Sequence, residues 1–177
     1  MLKNILSFGL AAGLLAGVPL FTIVVLHRGA PPEHGMLIGY LIMLVALSLV
    51  FVAIKRRRDG ELGGVIRFWP AFGLGLAISL VAGVVYAAAW EATLAVTKMD
   101  FGTEWAKVYL AQGQAKGLNE AELAKLAAEM EAFKAMYAKP LYRFAITLSE
   151  LVPVGVLVSL VSAALLRNPR FMPARRG

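Results

Sequence analysis

One stretch constrains this chain more than any other: residues 141–166 are apolar enough and long enough to cross a bilayer, yet they carry an acid, Glu150, three residues before Pro153. About 20 apolar residues in a helix span the hydrocarbon layer. An ionisable group at that depth costs roughly 2.5 to 3.5 kcal/mol on insertion scales, so the rest of the fold has to supply its surroundings. Composition agrees with a membrane setting. The 177 residues are 59% hydrophobic and only 16% charged, with a mean hydropathy of +0.72, more apolar side chain than a soluble core of this size buries. The formal charge of +7 would point to nucleic acid in a soluble protein. Here the basic residues flank apolar segments instead of lining a helix face, so they read as topology signals, and no nucleic-acid partner is expected. The absence of cysteine excludes disulfides, thiolate metal sites and thiol nucleophiles.

Four crossings are expected, at about residues 4–26, 36–54, 69–96 and 141–166, in a single membrane domain. In the first, Gly9, Gly13 and Gly17 recur every fourth residue, a spacing that lets another helix approach closely in lipid, and Pro19 follows as a bend. A polar, proline-rich turn with His27, Glu33 and His34 comes next. Those three are metal-ligand types without metal-ligand spacing, so the segment reads as an interfacial loop and no metal or cofactor is expected. The second crossing ends in Lys55, Arg56, Arg57 and Arg58, which open an expected loop to Arg67 with turns at Asp59-Gly60 and Gly63-Gly64. Short loops rich in Lys and Arg stay cytoplasmic.

The third crossing places Trp69 and Trp90 about 31 Å apart by helix rise, as interface anchors would be. Gly75, Ser79 and Gly83 continue a small-residue series for helix packing. Glu91, one step beyond Ala87, points toward neighbouring helices, where it can pair with Lys98 or Arg143. Residues 97–140 change character: charged, alanine-rich and without a spanning run, they predict a helical hairpin outside the membrane. Its second helix begins at Asn119, with Glu122 completing a capping box, and carries an apolar stripe of Leu123, Leu126, Met130, Phe133 and Tyr137. That stripe needs cover from the first helix of the pair, the membrane surface or a protein partner. In the fourth crossing Pro153 makes a kink, and Gly155 and Ser159 are packing positions. Arg167 and Arg170 then make the exit basic. With both basic segments inside, an even number of crossings puts both termini in the cytoplasm.

The glycine-rich first helix after Met1-Leu2-Lys3 and the Trp90-Glu91 close of the third crossing form one end of a longer pattern. The rest is the Glu120 to Ala124 and Ala128 to Glu131 helix with Met136-Tyr137 near its end, and the run Glu150 to Gly155 followed by Ser159 and Ser162-Ala163. The whole resembles the proteobacterial branch of the domain-of-unknown-function 4199 family. The resemblance implies an all-α, four-helix membrane bundle in a bacterial inner membrane, with no activity, substrate or cofactor attached.

No enzymatic constellation stands out: there is no phosphate loop, nucleophile elbow or paired metal-ligand motif. The chain is therefore read as a non-enzyme. Glu150 lies roughly 12 Å from Tyr142 by helix rise, too far for so short a side chain to reach water along the helix. It is read either as the carboxylate of a small proton- or cation-linked transporter or channel, or as an acid that hydrogen-bonds across helices. Tyr86 or Glu91 is expected to approach it and the acid to be protonated near neutral pH in the resting state, with Glu150→Leu destabilising and Glu150→Gln tolerated. A third reading makes the membrane part an anchor and the hairpin a docking element for a protein partner, with a homo-oligomer also allowed.

Overall fold

The structure is a computed structural model and describes residues 1–26 and 35–174. Among the described residues there are six helices and no strands: α1 Leu2–Leu26, α2 Gly35–Glu61, α3 Phe68–Thr97, α4 Phe101–Ala115, α5 Glu120–Tyr137 and α6 Pro140–Leu166. Four of them, α1, α2, α3 and α6, are long and apolar enough to cross a membrane. The expected turn with His27, Glu33 and His34 lies outside the described residues.

α3 is the centre. It packs along its length against α1 on one side and α6 on the other, and α2 closes the set by touching α1 and α6. Small residues set these contacts. A Cβ added to Gly9, Gly13 or Gly17 would stand 2.5 to 2.7 Å from the Cβ of Val81, Val85 or Ala89 on α3, so the α1 backbone lies directly on that helix. On the other side the fit is reciprocal: Ser159 of α6 sits over Gly75 of α3, and Ser79 of α3 sits over Gly155 of α6. Gly83 receives Leu148. The outward faces carry exposed leucines and valines, among them Leu10, Leu14, Val45, Leu80, Leu157 and Val161, which suits a lipid solvent.

The helices alternate in direction, so the start of α1, the end of α2, the start of α3 and the end of α6 gather at one end. There Asn4 Nδ2 donates to Glu61 Oε1 at 3.0 Å. At this basic end the structure corrects the expected loop. α2 does not stop at Ile54; it continues through Lys55–Arg58 and through Asp59-Gly60 to Glu61, and the turn falls on Gly63 and Gly64, both with positive φ. The reason is local pairing one turn apart, Lys55 with Asp59 and Arg57 with Glu61, which holds charged residues in helix where a turn was expected.

At the opposite end α3 stops at Lys98, whose left-handed φ of 55° lets its N–H reach Leu94 O at 3.0 Å. Asp100 then caps α4 by accepting from Thr103 N. At the head of α5 both halves of the capping box are formed: Glu122 N donates to Asn119 Oδ1 and Asn119 N to Glu122 Oε2, each at 2.9 Å. The stripe on α5 rests on α4, where Gly113 makes room for Leu123 and Leu126. α6 starts with Pro140 in its first turn, where a missing N–H costs nothing, and it stays helical through Pro153.

Candidate functional site

Four side chains fasten the α4–α5 pair over the ends of α3 and α6. Arg143 of α6 grips Glu91 of α3 with two parallel bonds, Nε to Oε1 at 2.7 Å and Nη2 to Oε2 at 2.6 Å. Such a bidentate pair fixes orientation as well as charge. Arg143 also donates to the Tyr137 carbonyl at 3.4 Å and lies 5.8 Å from the centre of the Tyr137 ring. Trp90 Nε1 donates to the Tyr137 hydroxyl at 2.7 Å. Burial pushes the Tyr137 phenol up to about 12, against the opposing pull of the Trp90 bond. Trp90, expected as an interface anchor, lies under the α4–α5 pair. It is 8% exposed because Tyr137 and Phe101 cover it, whereas Trp69 at the other end is 73% exposed.

Beneath this roof lies a cavity of about 390 Å³ between α2 and α6, and Glu150 is on its wall. The acid is seven residues beyond Arg143, about 10 Å further along the helix axis. The residue is exposed, lines the cavity, and among the described residues has no hydrogen bond or ion pair. Tyr86 lines the same space from α3 and Tyr40 from α2, but no hydrogen bond joins Tyr86 to Glu150. Glu91 is turned to Arg143 and so is not the partner of Glu150. The roof contributes a run of rings: Phe101 stacks on Trp105 with centroids 5.4 Å apart and meets Tyr137 at 5.2 Å, and Phe133 lies 5.3 Å from Tyr137. Sequence reasoning missed these walls. The acid is visible in a single helix, but the rings reach it only because α4 and α5 fold back over α2 and α6.

Pro153 lies three residues past Glu150, and its lack of an N–H leaves the Ser149 carbonyl without a ladder donor. The Ser149 hydroxyl donates to Ile146 O at 2.7 Å. Ser79 and Ser159, set in the α3–α6 contact, have buried hydroxyls without a hydrogen-bond partner. At the basic end the residues separate. Arg56, Arg67, Arg167 and Arg170 are exposed, while Lys55 pairs with Asp59 and Arg57 with Glu61.

Arg58 is wholly buried, which sequence reasoning did not foresee. Its guanidinium donates to the carbonyls of Leu166 at 3.4 Å, Phe171 at 2.9 Å and Met172 at 2.5 Å, and to Asp59 Oδ1 at 2.6 Å. It therefore latches the end of α6 and the segment after it to α2. Phe171 folds back beside Phe51, with ring centroids 6.4 Å apart. A signal was present in Asn168-Pro169, which stops the helix and lets the following aromatic return.

Among the described residues no group of three or more His, Cys, Asp or Glu side chains is placed to hold a metal ion. Compared with known families, residues 7–168 match the one described as Protein of unknown function (DUF4199). No curated protein and no solved structure matches the chain.

Proposed function

Since the chain belongs to the DUF4199 family of unknown function, its role has to be argued from its own site, and we propose a small proton- or cation-linked transporter or channel that works through Glu150. The observation that carries this reading is the Glu150 carboxylate itself, set in an apolar spanning helix, lining a cavity and bonded to no described residue. An acid kept only to fix a bundle would be expected to bond across helices, because an unsatisfied polar group in a low-dielectric site is costly. A carboxylate left open to a cavity suits a group that takes up and releases a cation. In this reading the four long helices form a four-helix bundle across a bacterial inner membrane. The basic end, with Arg56, Arg67, Arg167 and Arg170, faces the cytoplasm and the α4–α5 hairpin faces outside, as the bias of Lys and Arg favours.

The docking alternative is weaker, because none of the Leu123 to Tyr137 stripe is fully exposed: Leu123 and Leu126 lie against Gly113 of α4 and Tyr137 is buried. Reconstitution into liposomes tests the proposal. With a panel of protons and alkali cations driven by an imposed gradient, flux should be present in the parent and fall with Glu150→Gln. Equal flux in both, at or above that of empty liposomes, would sink it.

A further inference from the structure

The size and lining of the Glu150 cavity say more than that a cation visits it. A proton path needs a file of waters, whereas about 390 Å³ lies in the range of small-molecule sites. A second cavity of about 180 Å³ shares Leu20, Gly39, Met43, Tyr86 and Phe101 as walls and lies between α1 and α2, beside Ile23, Ile38 and Ile42. That second space is almost entirely apolar.

The polar groups restrict the occupant. Glu150 is the one charged side chain among the described residues that line either cavity, and Arg143, two turns earlier on α6, is already committed to Glu91. An anion is disfavoured by the carboxylate. A divalent metal ion is disfavoured by ligand count, since calcium takes six to eight oxygens and the wall offers one carboxylate with three phenols. A neutral apolar molecule would leave the carboxylate unpaired beside it. An organic cation answers each feature: its charge meets Glu150, its surface meets the faces of Tyr86, Tyr137 and Trp105, and its apolar body occupies the second cavity.

We propose that the two neighbouring cavities together bind a lipophilic organic cation, an ammonium or phosphonium with a hydrocarbon or aromatic body, the cationic centre lying beside Glu150 under the α4–α5 rings. This rests on the reading of Glu150 as a cation site and adds the class of cation.

The test uses full-length protein in lipid nanodiscs and radiolabelled tetraphenylphosphonium. Binding above that of empty discs should saturate at one per chain. Glu150→Gln should weaken it about tenfold or more with unchanged thermal unfolding, and Trp105→Leu several-fold. Tetraphenylborate, of the same shape and opposite charge and assayed alone because the two ions pair in solution, should not bind above the level of empty discs, a comparison that needs no variant. Phosphonium binding that fails to saturate or that persists in Glu150→Gln, or tetraphenylborate binding that matches it, overturns the proposal. If the phosphonium does not bind but proton or alkali-cation flux still depends on Glu150, the organic-cation class falls and the transport reading stands. If neither depends on Glu150, both fall.

Discussion

The two ends of the helix set are built from the same kind of apolar helix and differ in how they close. At the basic end Arg58, wholly buried, links α2 to α6 and satisfies three carbonyls beyond the reach of helix bonding, and Ile54, Ile66 and Leu166 are buried as well. At the other end α2 and α6 part around the Glu150 cavity, and closure comes from above, through Trp90, Tyr137 and the Arg143–Glu91 pair. One buried guanidinium with full partners makes a rigid base. One carboxylate without partners, under a roof hung from a few polar bonds, is on the proposed reading the place where a cation enters. That reading gives stability to the first end and ligand chemistry to the second, and it can be broken from either side.

The largest effect on folding should come from Arg58. Arg58→Ala removes the donor from the carbonyls of Leu166, Phe171 and Met172 and leaves a void at a fully buried position, so a loss of about 3 to 5 kcal/mol is expected. Thermal unfolding in detergent would show it, and a melting curve matching the parent would mean that the latch does not hold the basic end.

Next in size is a pair of glycines. Gly13 lies where a Cβ would meet the Val85 Cβ at 2.5 Å and the Ala82 carbonyl at 2.8 Å, whereas nothing stands within 4 Å of a Cβ on Gly39, in the cavity wall. Gly13→Val should cost about 1 to 3 kcal/mol through overpacking of α1 on α3. Gly39→Ala should be neutral or stabilising by up to about 1 kcal/mol, because alanine holds a helix better. Equal losses at both sites would mean that the cavity side is packed as tightly as the α1–α3 face.

Smaller still is the roof. Trp90→Phe removes one buried hydrogen bond to Tyr137 and should cost about 1 kcal/mol, seen most directly as faster amide exchange along α5. The same clamp carries a pH signature. The Tyr137 phenol is raised from 10.0 to about 12 in the fold, so the stability it contributes is complete below pH 10 and is lost as pH rises toward 12. Exchange in α5 that does not quicken over that interval would separate Tyr137 from the closure of this end.

The basic end and the cavity end were unequally legible in the sequence. Length and hydropathy give the four long helices closely, and the Asn119–Glu122 box and the Leu123 to Tyr137 stripe announce α5, because those signals are local and periodic. The continuation of α2 was hidden because Asp59-Gly60 has the composition of a turn, while what decides is the pairing of Lys55 with Asp59 and Arg57 with Glu61. Arg58 was hidden among identical neighbours: nothing in a run of three arginines says which one points inward, since that depends on Phe171 returning from 113 residues later. Glu150 was conspicuous as an acid in an apolar run, but its isolation and its aromatic surroundings come from helices far away in the chain. Local pattern fixed the elements, and long-range return of a few aromatic residues fixed both ends.

The smallest expected effect on stability is at Glu150, and it is the one that bears most on function. A carboxylate hydrogen-bonded to Tyr86 would make Glu150→Leu costly, by leaving a buried phenol without its partner, while Glu150→Gln would be tolerated. The structure offers a different expectation, because the acid faces a cavity and no bond joins it to Tyr86 or to any other described residue. Replacing it then removes no protein contact, and Leu should be tolerated as well as Gln, both within about 0.5 kcal/mol of the parent. The two substitutions should instead share a functional defect, loss of cation-dependent flux, since neither side chain can carry the negative charge. Matched melting temperatures with abolished flux would place Glu150 in the working end of the molecule. A Leu variant that melts well below the Gln variant would return it to the packing of the helices and erase the difference between the two ends.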